Sequence, residues 1–190
     1  MGRQDDIVRA YVEAYPAHHE TRERWPVQGE MRVMLGLATE LPPGRVSSSI
    51  LAIVLDAKRR VLYLWPGRRS GSIAHLLIGG RPEGGERPQE TAIREVGEET
   101  GWRVRPIRMI GFRHFFQLEP RRQESDRPYP DFIQPIYAAR AVAFEPERLL
   151  AKDRIEAEFM EFDEVERSIE AGQRPLLYAA DEEVRSMKDA

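Results

Sequence analysis

Apolar positions at the start of the chain recur at helical spacing. Ile7, Ala10, Tyr11, Ala14 and Tyr15 follow Asp5 and Asp6 and stop at Pro16, which predicts an amphipathic helix over residues 5–15. Met31, Met34, Leu35 and Ala38 repeat the i, i+3, i+4 pattern before "LPPG" breaks the chain at residues 41–44. Residues 1–44 are therefore expected to form a helical N-terminal extension, and residues 45–190 the main domain. From Val46 the period changes. "SSSILAIVLD" and "VLYLW" are β-rich runs whose turn falls at residues 56–60, and "HLLIGG" is a third, short strand. Residues 105–119 and 131–144 read as longer strands separated by the Pro-rich and charged "PRRQESDRPYP". Pro135 predicts an edge or a bulge in the second of them. A strand at "EFMEF" and helices around residues 163–171 and 177–188 close the chain. Strands interrupted by one central helix, with helices at both ends, indicate a mixed α/β (α+β) sandwich.

Composition narrows the chemistry. Apolar residues make up 41% and charged residues 32%, the balance of a globular protein. No apolar run approaches the length needed to span a bilayer, and "MGRQDDIVRA" lacks a basic-then-apolar leader, so a cytoplasmic location and no membrane partner are expected. With zero cysteines, any metal must be held by oxygen or imidazole. A net charge of -3 gives no basic field, so bulk nucleic acid is not an expected partner. Of the 29 basic residues 26 are arginine, a bias that composition accounts for better than function does.

The chemistry concentrates in "GGRPEGGERPQETAIREVGEETGW" at residues 79–102. Pro88 suits a first helical turn, Gln89 and Glu90 suit its positive end, and Gly101 is a natural stop. Ala92, Ile93 and Val96 then face a core, while Glu95, Glu98 and Glu99 share the neighbouring face at i, i+3 and i+4. Like charges at that spacing disfavour a helix by a few tenths of a kcal/mol per pair, and Gly97 inside it costs roughly 1 kcal/mol. A solvated acidic face is one reading. Clustered carboxylates without cysteine or histidine are also what a hard divalent cation binds.

The remaining spacing favours the second reading. Gly80, five residues, Glu86, seven residues, Arg94-Glu95, apolar Val96, any residue, Glu98-Glu99, any residue, Gly101 and apolar Trp102 resemble the Nudix box, with every fixed position filled. The resemblance implies an α/β/α sandwich in which the box is a loop-helix-loop, with a mixed β-sheet. It also implies hydrolysis of a nucleoside diphosphate linked to another moiety, with Mg²⁺ or Mn²⁺ as cofactor and a small nucleotide-type molecule as substrate. Carried over by position, Glu95, Glu98 and Glu99 are the metal ligands, with Glu98 the candidate that also polarises water. Arg94 orients a box glutamate, Glu86 anchors the loop, Gly80 allows close backbone approach and Gly101 ends the helix. Many family members carry proline where Ile78 precedes Gly79 and Gly80, a departure that bears on loop rigidity. Protonation of the glutamates would release metal, which implies an alkaline-leaning activity profile.

Outside the box, "DRIEAEFMEFDEV" offers Glu156 as an additional base or ligand, and Glu158 after it. His114 is expected to be packed rather than ligating, as is His75, and His18 and His19 are expected at the surface. Trp65, Phe112, Phe115, Phe116 and Tyr129 are candidates for stacking on a base, weighed against core packing. Arg68, Arg69, Arg113, Arg121 and Arg122 are candidate phosphate contacts. Two other functions stay open: hydrolysis of a nucleoside triphosphate or damaged nucleotide to monophosphate and pyrophosphate, and ligand sensing without turnover. A homodimer built on the N-terminal extension is a further expectation.

Overall fold

A polar edge and a doubly buried centre organise the sheet of this computed structural model, which describes residues 2–26, 28–42, 48–65, 76–120, 127–150 and 156–186. In chain order the elements are α1 (Gly2–Ala14), β1 (Ala17–Trp25), β2 (Gly29–Leu37), β3 (Ile50–Leu55), β4 (Val61–Leu64), β5 (Ile78–Gly80), α2 (Pro88–Thr100), β6 (Trp102–Gln117), β7 (Asp131–Phe144), β8 (Ala157–Met160), α3 (Phe162–Ser168) and α4 (Arg174–Ser186). The strands form one eight-stranded sheet in the order β1-β2-β6-β7-β3-β4-β8, with β5 paired to β3 off this path. Only the β3–β7 pairing is parallel, so the sheet is mixed.

All six residues of β3 are buried. Ile50, Ala52 and Val54 enter a core with Val8 and Tyr11 of α1 and Ala92 and Val96 of α2. Leu51, Ile53 and Leu55 enter a second core with Val165 of α3 and Leu176, Leu177 and Ala180 of α4. A strand apolar at every position is what a layer covered on both faces requires, and the helices on the two faces make the α/β/α sandwich expected from the sequence. Both predicted hairpin strands and the helices at residues 163–171 and 177–188 have counterparts in β3, β4, α3 and α4.

The second half of the helical extension is corrected. Residues 17–37 are an antiparallel hairpin, Thr21 opposite Val33 and Trp25 opposite Gly29, and β2 pairs onward with β6. Met31, Val33, Met34 and Leu35 are all buried. The apparent helical period arose because β2 is covered on both faces, so its apolar positions do not alternate. Gly36 belongs to the strand for a packing reason: a Cβ there would lie 2.5 Å from the Phe112 ring. β1 gives no hydrophobic signal because it is an edge strand of "AHHETRERW", exposed at every second position. The first predicted helix stands, and Tyr11 ties it down by donating to the Glu40 carbonyl at 2.8 Å.

Pro135 lies inside β7, opposite Phe112, one residue before the parallel pairing with β3 begins at Ile136. The irregularity it predicts falls on the neighbouring strand, where the β6 register shifts between Met109 and Gly111.

Deleting residues 1–44 would remove four buried β2 side chains worth roughly 6–12 kcal/mol together, on the order of a whole domain's stability of about 5–15 kcal/mol. The truncated chain is expected to aggregate or to lose its cooperative melt by circular dichroism. A soluble truncation that melts cooperatively would contradict the interior position of β2.

Candidate active site

The helix that carries the glutamates is fixed at both ends by its own sequence. Pro88 opens it, and the Glu90 carboxylate accepts the Arg87 backbone N–H at 2.8 Å, supplying a partner to a helix start that would otherwise lack one. Gly101 ends it in the left-handed region at φ 74°, donating its N–H to the Gly97 carbonyl. Ala92 and Val96 are fully buried and Ile93 packs at the edge of the same core. This turns the face of Arg94, Glu95 and Glu98 towards the preceding loop.

Arg94 is the hub of that face. Its Nε donates to Glu86 Oε1 at 2.8 Å, and Nη2 to Glu86 Oε2 at 3.1 Å and to the Arg81 carbonyl at 2.8 Å. Nη1 donates to Glu95 Oε1 and to Glu98 Oε2, both at 3.0 Å. All five N–H groups of the guanidinium are thereby used. Glu86 also accepts from the Glu83 backbone N–H and the Thr91 hydroxyl, each at 3.0 Å. The hydrogen bonds from Arg94, helped by the Glu83 N–H, lower the Glu86 carboxyl from 4.5 to about 2. The same carboxylates push the Arg94 guanidinium above its ordinary range.

Gly80 completes the seat. A Cβ at this position would lie 2.2 Å from Glu95 Oε1, so any side chain there would push that carboxylate from its place against β5. Gly97 has an account the sequence does not reveal: a Cβ there would lie 2.6 Å from Arg148 Nε. The helix gives up propensity at Gly97 to let Arg148, ion-paired to Glu145 at 3.2 Å, cross it. Leu150 N–H then donates to the Glu98 carbonyl at 3.0 Å.

The structure thus brings together Gly80, Glu86, Arg94, Glu95 and Glu98. Glu99 follows on the same helix, half-buried. Among the described residues, no three acidic or histidine side chains surround a common point. The donor types nonetheless suit a hard divalent cation: the Glu95 and Glu98 carboxylates lie on one Arg94 nitrogen, and Glu99 follows Glu98 in the chain.

Residues outside the box scatter. Glu156 is exposed, just before β8, where its backbone carbonyl accepts the Trp65 N–H at 2.8 Å. Glu158 accepts from the Trp65 indole at 3.0 Å. Among the described residues, no hydrogen bond or ion pair joins either to the box glutamates. His114 is buried against Asp131 at 2.9 Å, as a packed histidine should be. His18 and His19 lie on β1, with His19 Nε2 3.2 Å from the Glu170 carboxylate. Phe112 and Phe115 are core, whereas Trp65 and Tyr129 are exposed. Arg113 is committed to Glu23 at 2.7 Å. His75, Arg68, Arg69, Arg121 and Arg122 lie outside the described residues.

The pH behaviour of the anchor follows from its sign. A carboxyl at about 2 when folded and 4.5 otherwise stabilises the fold above pH 4.5 and loses that contribution as pH falls towards 2. Glu86→Gln is therefore expected to melt several degrees below the parent chain at neutral pH, with the gap closing between pH 4.5 and 2. A gap independent of pH across that window, followed by thermal denaturation, would contradict the ionic anchor.

A model of the NUDIX domain matches residues 46–180, well over half of the chain. Solved structures to which the chain is similar include a NUDIX hydrolase from Nitrosomonas europaea, at 20% identity over 74% of this chain and 89% of that one, with a TM-score of 0.46. A NUDIX-family hydrolase from Clostridium perfringens is 16% identical over 75% and 99% of the two chains, with a TM-score of 0.46. A pyrophosphohydrolase of Bacillus subtilis is 20% identical over 67% and 68%, with a TM-score of 0.44. With the domain matched from residue 46 to residue 180 and every fixed position of the box filled between Gly80 and Trp102, the chain belongs to the Nudix hydrolase family.

Proposed function

We propose that this chain is a divalent-metal-dependent hydrolase that cleaves the pyrophosphate bond of a nucleoside diphosphate linked to another moiety. The observation that carries the reading is the pairing of Glu95 and Glu98 on one Arg94 nitrogen beside Gly80. A purely structural helix gains nothing from holding two carboxylates together at its surface.

Glu95, Glu98 and Glu99 would hold Mg²⁺ or Mn²⁺. When bound, such an ion neutralises charge on the non-bridging phosphate oxygens and acidifies water. The chain's own residues do the rest. Glu86 fixes Arg94, and Arg94 fixes the orientation of Glu95 and Glu98, so the carboxylates need no reorganisation at the moment of reaction. Water oxygen attacks one phosphorus and the bridging P–O bond breaks with its electron pair on the leaving phosphate. Glu98 takes the water proton, with Glu156 the alternative acceptor. Two phosphate-bearing products result.

The test is incubation with nucleoside triphosphates, dinucleoside polyphosphates, nucleotide sugars, ADP-ribose and NADH, each with Mg²⁺, Mn²⁺ or EDTA, with products resolved by chromatography. Metal-dependent release of a nucleoside monophosphate from a diphosphate derivative is expected. Release of pyrophosphate from triphosphates alone would replace the proposed substrate class, and silence across the panel would contradict the reaction. Glu98→Gln and Glu99→Gln are each expected to lower turnover at least about a hundredfold with the melting profile unchanged, because a charged oxygen ligand becomes a weak neutral one. Near-parental rates in both variants would end the metal-cluster reading.

A further inference from the structure

The sheet ends in an open edge. β1 is the last strand in the sheet order and pairs only with β2, and among the described residues no other backbone group bonds residues 17–25 from outside. Its nine residues therefore leave a row of backbone donors and acceptors unpaired at alternate positions. Natural edges of this kind are commonly guarded by charge. A guard repels its own copy, so the sign pattern along β1 decides between a guarded edge and a docking edge.

The exposed positions of β1 are His18, Glu20, Arg22 and Arg24, which alternate along the strand and so share one face of the sheet. Glu20 stands opposite Met34 on β2, and among the described residues it has no hydrogen bond or ion pair. Arg22 stands opposite Arg32, a like charge. It reaches Glu30 at 3.4 Å, with 69% of its side chain exposed. Within the chain, then, neither Glu20 nor Arg22 has the directly opposed partner of opposite sign that stabilises a strand pair.

A second copy of β1, laid antiparallel with Thr21 opposite Thr21, supplies both. In that register Glu20 of each copy lies opposite Arg22 of the other. On the other face of the sheet His19 lies opposite Glu23, and the two keep their partners within the chain, Glu170 at 3.2 Å and Arg113 at 2.7 Å. His18, neutral above the ordinary histidine pKa of about 6.5, meets Arg24. Moving the axis by one residue destroys the match: centred on Glu20 it sets two glutamates together, and centred on Arg22 two arginines. A parallel pairing in register sets every charge against itself.

We propose that β1 is a docking edge for a second copy of this chain, joined antiparallel about an axis at Thr21, so that two eight-stranded sheets run on as one. The interface uses no residue of the box. Its failure would leave the proposed reaction standing, and failure of the reaction would leave the interface standing.

The experiment is sedimentation equilibrium of the full chain at alkaline pH and low ionic strength. A reversible dimer with a dissociation constant of about 1–100 µM is expected, the range of a small interface, and salt should weaken it by screening the charge pairs. Arg22→Glu sets like charges against Glu20 at two places and is expected to weaken the dimer at least about tenfold. Combining it with Glu20→Arg exchanges the signs and is expected to restore the dimer. Both positions are exposed, so circular dichroism should show parental melts for the single and double variants. Because the chain has no cysteine, Thr21→Cys reports the register: oxidation is expected to join the two copies, since the new thiols lie directly opposite. Val142→Cys, at a position 47% exposed on β7, is the control for random collision. A parent chain that stays monomeric, a dimer indifferent to Arg22→Glu, a double exchange that does not restore it, or a Thr21→Cys chain that cross-links no faster than Val142→Cys would each overturn the proposal.

Discussion

The candidate site depends on one guanidinium having no donor left over. Arg94 spends its five N–H groups on Glu86, Glu95, Glu98 and the Arg81 carbonyl, so loop and helix are held by the same planar group. A lysine offers three donors on a flexible stem and cannot fix two carboxylates and a loop anchor in one plane. The arrangement also answers the electrostatic problem of the helix. Glu95 and Glu98 sit on the same positive group, which offsets a repulsion that α2 would otherwise carry in full.

Backbone features elsewhere serve this hub. β3 is buried on both faces and holds β5 through Ile50 and Leu51, which sets Gly80 against Glu95. Ala92 and Val96 fix the rotation of α2. Gly97 admits Arg148, and Leu150 bonds the Glu98 carbonyl, so the segment after β7 is tied to the helix at the glutamate itself.

The sequence was most legible where one local rule decides the outcome. The bounds of α2 followed from Pro88 and Gly101, and the Ala92, Ile93, Val96 face followed from the helical period. β2 was misread because burial on both faces erased its alternation, and Met31, Met34, Leu35 and Ala38 happened to fall at helical spacing. β1 was silent because an edge strand carries charge in place of apolar residues. Within the site, the box residues were legible as a spacing, but the fork geometry of Arg94 was not, since three of its five bonds go to a carbonyl and a loop glutamate set by the backbone path. The Gly97–Arg148 crossing joins residues 51 positions apart and has no local signal. His114 was legible as a packed histidine, whereas its partner Asp131 and its unpaired Nδ1 depend on strand register.

On the proposed function, Arg94 holds the α2 carboxylates ready for a divalent cation. The most direct test is Mn²⁺ affinity measured by electron paramagnetic resonance on the full chain and on Arg94→Lys, with the fold of both checked by circular dichroism. Loss of such a positioning partner is expected to weaken metal binding about 10- to 100-fold. An unchanged Mn²⁺ affinity in a folded Arg94→Lys chain would contradict the account.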